Sequence, residues 1–198
     1  QMLQLAEIHA LDLMLKFLNE NASSLLQQTF VELKKPLATG IGHDIYSFIP
    51  TTGFTVSLSG IQKEDSGKIR RELIRILTSI SNHLNMDAFR AFLTRTKEKL
   101  VFSFENAPLE FANQMIIPEV LANSYIEPNA TVLGSNCEIL QMIDTLAEKE
   151  KEFFVEVFSQ YFNVDLMIEV QMVPSMEMNE VVKSELEKLA LKKLQSCS

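Results

Sequence analysis

The chain has 198 residues, with 18 Lys and Arg against 26 Asp and Glu, and a formal net charge of −8 at pH 7. This length suits one domain with a hydrophobic core, and a hydrophobic fraction of 46% excludes wholesale disorder. The acidic balance argues against a nucleic-acid surface, because phosphate binding depends on clustered Lys and Arg.

The start of the chain predicts two helices. Residues Met2 to Leu18 are apolar almost all round and include no Gly or Pro, so we predict a largely buried helix there. Ser23 or Ser24 can cap a second, short helix, and Pro36 closes this segment. Because residue 1 is not Met and the next residues already have the pattern of a helix interior, we expect the chain to be a segment of a larger protein.

Residues 38–60 predict a β-hairpin. Gly40 and Gly42 flank Ile41 at the start of the first strand, and Pro50 to Gly53 has the composition of a tight turn. In the second strand, apolar side chains alternate with small polar ones: Phe54, Val56 and Leu58 against Thr55, Ser57 and Ser59. Such alternation is typical of a sheet with one face covered.

After the second strand the apolar spacing becomes helical. Asp65 or Ser66 can cap a helix. Its predicted apolar stripe comprises Ile69, Leu73, Ile76, Leu77, Ile80 and Leu84. A second helix is predicted to start near Asp87 and to carry Phe89, Phe92, Leu93, Val101 and Phe104. Ser135 and Glu138 match a capping box that opens a further helix.

The end of the chain predicts a strand and then a helix. Apolar residues at 164, 166, 168, 170 and 172 alternate with mostly polar ones, so we predict a third half-covered strand, which Pro174 ends. The tail after it predicts a helix. The expected fold is α+β, with helices packed on one face of a small antiparallel sheet that lacks an upstream strand. We expect residues 1–175 to form this domain and residues 176–198 to form a separate helical segment.

No motif in the chain predicts a catalytic centre. His9, His43 and His83 have no second ligand at metal-binding spacing, and there is no H-E-x-x-H, H-x-x-E-H or C-x-x-C. There is also no G-x-S-x-G elbow and no phosphate-binding glycine loop. His43 and Asp44 are neighbours on a strand and point to opposite faces, so they are a poor base and orienter pair. We therefore assign no catalytic and no metal-ligating residue, and we expect no cofactor in this segment.

Charge and cysteine patterns bear on partners and location. The one basic cluster fits either a solvated helix face or a contact surface, and it comprises Lys68, Arg70, Arg71 and Arg75. Cys137 and Cys197 are too few and too far apart for a disulfide framework, which favours an intracellular location, in the cytoplasm or mitochondrion. No apolar run is long enough to cross a bilayer, so we expect no membrane partner.

Four stretches carry a resemblance to a known family. They are Ala10–Leu18, Ser24–Glu32, Gly53–Gly60 with Glu64 and Asp65 after it, and the predicted strand that ends at Met172-Val-Pro174. In their order and spacing, these stretches resemble the non-catalytic domains of the pitrilysin and insulysin superfamily of inverzincin zinc metallopeptidases. The presequence-protease-like branch is the most similar.

The resemblance implies a place in a larger enzyme. Such enzymes arrange four similar α+β domains as two halves, which enclose a chamber for peptides and small unfolded proteins. Their zinc is held by an H-x-x-E-H motif and a later Glu in the first domain, and this chain has neither. The chain would then be the second domain, its partners would be the other domains and a peptide substrate, and its tail would lead into the linker between the halves.

The same resemblance implies a peptide-binding strand. In insulysin-like enzymes the strand after the Ser-Leu-Leu helix lines the chamber and pairs with the substrate. The corresponding residues are Thr39, Gly40, Ile41, Gly42 and His43. Main-chain pairing tolerates many sequences and glycines permit close approach, which suits a broad peptidase. The alternative is that both glycines only serve a turn.

Three functional hypotheses follow. The first is a scaffold domain of a zinc metalloendopeptidase, in which the chemistry takes place in another domain. The second is a catalytically dead relative of such peptidases. The third is a stand-alone interaction module that uses the basic helix or the tail to bind a partner.

Overall fold

The computed structural model describes residues 2–46, 53–110, 112–113, 117, 139–173 and 175–196. The chain divides into two compact units, Gln1–Asp165 and Leu166–Ser198, which are described separately. The predicted boundary at residue 175 stays a prediction. The capping box at Ser135 and Glu138, Pro174 and residues 50–52 of the predicted turn lie outside the described residues.

The first unit combines helices with one hairpin. Its helices are α1 (Met2–Asn19), α2 (Leu25–Phe30), α3 (Ser66–Thr78), α4 (Ile80–His83), α5 (Met86–Asn106), α6 (Ile139–Ala147) and α7 (Lys151–Tyr161). Its strands are β1 (Gly40–Tyr46) and β2 (Gly53–Ser59), and Lys63–Asp65 forms a 3-10 turn. In the second unit, α8 spans Met176–Ser196.

The sheet pairs β1 with β2 in antiparallel register, from Gly40 opposite Ser59 to Tyr46 opposite Gly53. Its inner face packs against the core through Ile41, Ile45, Phe54 and Leu58. Thr55, Ser57 and Ser59 are exposed on the opposite face. The predicted α+β fold, with helices packed against a small antiparallel sheet, is confirmed.

Helix α1 is the centre of the first unit, because it contacts α2, α5, α6, α7 and β1. Its buried residues are Ala10, Leu11, Leu13, Met14, Leu15 and Leu18. These positions lie on several sides of the helix, as expected for a helix that is surrounded by other elements. The prediction of a largely buried first helix is therefore confirmed for the residues whose side chains are described.

Aromatic side chains link the surrounding elements. The ring of Phe17 in α1 lies 5.3 Å from that of Phe89 in α5, which lies 4.9 Å from that of Phe154 in α7. Phe54 of β2 contacts Phe158 of α7 with a centroid distance of 5.9 Å. Edge-on and tilted pairs of this kind add to the stabilisation from burial alone.

The predicted helix after β2 is present but broken at Ser79. The backbone of Ser79 leaves the helical region (φ −109°, ψ 28°), and its hydroxyl donates to the Arg75 carbonyl oxygen at 2.6 Å. A Ser hydroxyl that bonds locally to the backbone competes with the helical hydrogen bonds. The predicted apolar stripe continues across the break. Leu73 packs against the core, and the other members of the stripe are buried: Ile69, Ile76, Leu77, Ile80 and Leu84.

Helix α5 matches the sequence prediction in its first half only. Phe89, Phe92 and Leu93 are buried, as predicted. Phe104 was predicted on the apolar side, but its side chain is 58% exposed. Spacing alone therefore overestimated the length of the buried stripe on this 21-residue helix.

The predicted third strand is wrong. Val164–Leu166 forms a 3-10 turn, and residues 167–173 have no regular secondary structure. Ile168 is 86% and Met172 is 93% exposed. Alternation shows that a segment could cover one face of a sheet, but a strand also needs a hydrogen-bonding partner, and the described sheet contains β1 and β2 alone.

No described helix is both long and apolar enough to cross a membrane.

Candidate functional site

The candidate peptide-binding residues lie together at the start of β1. Thr39 directly precedes the strand, and its backbone N–H and its hydroxyl both donate to the Ser59 carbonyl oxygen, at 2.8 and 3.2 Å. Gly40, Ile41, Gly42 and His43 belong to β1 itself. The first half of β1 is therefore fixed to the end of β2.

Gly40 and Gly42 lie within the strand and not in a turn. A Cβ atom at Gly40 would stand 3.1 Å from Ser59 Oγ, and one at Gly42 would stand 3.1 Å from Ser57 Oγ. Both distances are tighter than ordinary van der Waals contacts. The glycines therefore let the cross-strand serines lie close to the backbone of β1.

Gly60 determines how the chain leaves β2 beside this site. Its φ of +65° is a backbone conformation that residues with a Cβ rarely adopt. A Cβ there would stand 2.2 Å from Thr39 Oγ1. The absence of a side chain at Gly60 thus permits the close approach of Thr39, which is the first residue of the candidate site.

The outer face of the hairpin is shallow. Thr55, Ser57 and Ser59 are exposed there. Across the sheet, their partners are Asp44, Gly42 and Gly40, in that order. Only short side chains project from most of this face. A second peptide backbone can approach such a surface more closely than one built of large residues.

One backbone acceptor of β1 is already occupied. The side-chain amide of Asn19, at the end of α1, donates to the Ile41 carbonyl oxygen at 3.0 Å. Gln27 in turn donates to Asn19 Oδ1 at 3.1 Å and so orients the amide. A peptide that pairs with β1 at this carbonyl would have to displace Asn19.

Below the sheet, His43 faces an acidic residue of α1. His43 Nε2 lies 3.6 Å from Asp12 Oδ1, and Lys16 Nζ donates to Asp12 Oδ2 at 2.5 Å. Burial raises the pKa of the Asp12 carboxyl, but His43 and Lys16 together outweigh it, so this pKa lies below its ordinary value. Asp12 is therefore an ionised carboxylate at neutral pH, held under the first half of β1.

Sequence analysis missed Asp12. The usable signal was a single acidic residue inside an otherwise apolar helix, with Lys16 one turn later. Sequence analysis did place His43 and Asp44 on opposite faces, which is confirmed: Asp44 is exposed, whereas His43 faces Asp12.

A small cavity of about 60 Å³ adjoins Asp12. His9, Lys16 and Thr96 contribute its other polar side chains, and the rest of its lining is apolar. His9 Nε2 is buried and, among the described residues, has no hydrogen-bond partner. Burial lowers the pKa of His9, with Asp12 opposing and Lys16 reinforcing this effect. The lowered pKa favours a neutral imidazole at neutral pH, and His9 Nε2 is held away from solvent.

The histidines do not form a metal centre in the described part of the chain. There, no group of three or more His, Cys, Asp or Glu side chains converges in a way that could hold a metal ion. His83 lies beside Ser79, with 3.3 Å between Nε2 and Oγ.

The basic cluster lies on the exposed side of α3. Lys68, Arg70, Arg71 and Arg75 are all exposed. Arg75 Nε donates to Glu72 Oε2 at 2.8 Å, within the same helix. Exposed charges with local pairing are compatible with a solvated face and equally with a contact surface.

Comparison with known proteins gives a distant similarity. An uncharacterized protein from Schizosaccharomyces pombe is 20% identical to this chain over 178 residues, which are 90% of the chain. The chain spans 17% of the length of that relative. No family model and no solved structure matches the chain. The resemblance to inverzincin peptidases therefore stays a hypothesis.

Proposed function

We propose that this chain is a non-catalytic scaffold domain of a zinc metalloendopeptidase of the pitrilysin and insulysin type. In this proposal the domain forms part of the wall of a chamber that holds peptides and small unfolded proteins. The observation that supports it most is the shallow outer face of the hairpin, with glycines at 40 and 42 and helices behind the other face. Such a wall lets a peptide lie close to the sheet, and the backbone hydrogen-bonding groups themselves are offered by the edge of β1.

The mode of binding that we propose is main-chain pairing with β1. Sheet-edge pairing depends mainly on backbone hydrogen bonds, so it tolerates many peptide sequences. The incoming strand would take over the Ile41 carbonyl oxygen from the Asn19 amide, so one hydrogen bond would replace another at this carbonyl. Asp12 and His43 would hold the inner side of β1 in place meanwhile.

The zinc of the proposed enzyme would be bound in another part of a longer protein. The chain has no H-x-x-E-H motif. The length of the yeast relative supports this arrangement, since a protein of which the chain spans 17% has room for further domains.

The longer gene product tests this proposal. We expect an H-x-x-E-H motif with a later Glu upstream of this segment, about one zinc ion per protein, and peptide cleavage that a chelator abolishes and zinc restores. The 198-residue chain alone should neither retain zinc after dialysis nor cleave peptides. A longer protein without such a motif, or metal-dependent turnover by the chain alone, would contradict the proposal.

An interaction module is the second candidate. The helix α8 supports it, because Met178, Val182 and Leu186 expose apolar side chains along its length, with exposed fractions of 61%, 47% and 61%. A broken zinc motif upstream would instead indicate a catalytically dead relative. Neither an interaction module nor a dead relative would cleave peptides. A partly retained zinc motif upstream would indicate the dead relative, and its complete absence would indicate the interaction module.

A further inference from the structure

His9 of α1 places a polar group in the contact of this helix with α5 and α6. It lines the cavity of about 60 Å³ beside Asp12. Helix α6 lines the same cavity with apolar residues alone: Ile139, Met142, Ile143 and Leu146. His9 Nε2 is buried and, in the described part of the chain, has no hydrogen-bond partner. Buried side-chain nitrogens are nearly always hydrogen-bonded, so His9 weakens a contact that an apolar residue at this position would strengthen.

The nearby carboxylate of Asp12 already has two cationic or potentially cationic neighbours. Lys16 Nζ donates to Asp12 Oδ2 at 2.5 Å, and His43 Nε2 lies 3.6 Å from Asp12 Oδ1. Each carboxylate oxygen therefore faces a group other than His9. A protonated His9 would have to compete with Lys16 and His43 for this carboxylate.

The other two helices bring no charged side chain to the cavity in the described part of the chain. Helix α5 lines it with Thr96 and Leu100, and the α6 lining is apolar. Asp144 of α6 pairs with Lys97 of α5, and its side chain is 60% exposed. Protonation of His9 would therefore add a second N–H donor and a positive charge to a contact in which the described carboxylates already have partners.

The consequence of protonation is that the cavity takes up water. A water molecule needs about 10–15 Å³ of such volume, so the cavity has room for water that would solvate an imidazolium. Burial lowers the pKa of His9 below its ordinary value of about 6.5, with Asp12 opposing and Lys16 reinforcing this effect. An open, hydrated state therefore binds a proton more readily than the closed state. Opening becomes more favourable as pH falls from about 6.5 toward the lower folded value.

We propose that His9 makes the contact of α6 with α1 sensitive to mild acid: its protonation brings water into the cavity and loosens α6, while the hairpin side of α1 stays closed. The hairpin side differs because His43, when protonated, forms an ion pair with Asp12. The two sides of α1 thus respond to acid in opposite directions. This device depends on neither zinc nor peptide binding, so it goes beyond the proposed function.

The test is hydrogen exchange of the 198-residue chain, measured by mass spectrometry at about pH 7.5 and pH 5.5 and corrected for the intrinsic exchange rate. Protection of the α6 amides should fall about five- to tenfold at the lower pH, because the open state binds a proton that the closed state excludes. Protection of β1 and β2 should fall by about twofold or less. An equal fall in both regions, or no fall in α6, would contradict the proposal.

Two variants assign the response to His9. His9→Gln removes the titrating group and keeps a polar side chain, so the loss of α6 protection at the lower pH should disappear. His83→Gln is the matched control and should leave that loss unchanged, because His83 lies beside Ser79 and does not line the cavity. If His9→Gln fails to fold, as judged by its thermal transition, His9→Leu replaces it, since an apolar side chain suits the lining. A response that persists in a folded His9 variant, or that disappears in His83→Gln, would overturn the proposal.

Discussion

Two stretches of this chain have the same alternating pattern and different structures. In β2, Phe54 and Leu58 pack against the core while Thr55, Ser57 and Ser59 are exposed. In residues 166–173 the apolar side chains are exposed instead of packed: the exposed fraction is 77% for Val170 and 93% for Met172. The sequence patterns are equivalent, but only one of the two stretches is a strand.

The difference lies in the partner and not in the pattern. β2 follows β1 closely in sequence, so the hairpin forms from neighbouring residues. Residues 166–173 lie between two helices, α7 and α8, and no described strand adjoins them in sequence. Alternation therefore indicates which face a strand would bury, whereas pairing decides whether the strand forms.

The largest expected effect concerns the packing behind β2. Phe158 is 1% exposed and contacts Phe54, so Phe158→Ala should lower the free energy of unfolding by about 3–5 kcal/mol. Urea unfolding monitored by circular dichroism measures this change. A loss below 1 kcal/mol would mean that β2 is not supported by α7, and the contrast with residues 166–173 would disappear.

The next effect concerns the charges under β1. Asp12→Asn should cost about 1.5–3 kcal/mol at pH 7, since a partly buried carboxylate paired with Lys16 and His43 is lost. The pKa of Asp12 is lowered on folding, so its stabilisation is present above the ordinary carboxyl pKa of about 3.9 and is lost as pH falls through the lower folded value. Urea midpoints from pH 7 to pH 3 should therefore converge for the two proteins, and parallel curves would contradict this account.

A smaller effect is expected at the end of the hairpin. Gly60→Ala should cost about 1–2 kcal/mol, because φ is +65° and the new Cβ would meet Thr39. The matched control is Gly67→Ala in α3, where no atom lies within 4 Å of the new Cβ and helix propensity improves. This control should stabilise the protein by about 0.5–1 kcal/mol, and thermal unfolding measures both variants. Equal effects of the two variants would show that Thr39 does not lie against Gly60.

The smallest effect is expected in the exposed stretch. Ile168→Ala should change the free energy of unfolding by less than about 0.5 kcal/mol, as is usual for an exposed side chain. Urea unfolding of the 198-residue chain measures it beside Phe158→Ala. A cost above 1 kcal/mol would mean that Ile168 is packed, and residues 166–173 would then resemble β2 after all.

Much of the fold could be predicted from local patterns, but the contacts of the candidate site could not. Helical spacing located the buried stripe from Ile69 to Leu84, and alternation identified the covered face of β2, because both signals are periodic along one element. The pairing of Asp12 with His43 and the hydrogen bond from Asn19 to Ile41 join elements that are distant in sequence.

Peptide affinity of the longer enzyme that we propose tests the role of β1 most directly. Gly42→Val should weaken the binding of a long unfolded peptide about tenfold, and adding Ser57→Gly should relieve the crowding across the sheet without restoring affinity. Gly53→Val, at a strand glycine with no atom within 4 Å of the new Cβ, is the matched control and should bind as the unmodified protein does. Unchanged affinity in a folded Gly42→Val protein would contradict a peptide-binding role for this strand.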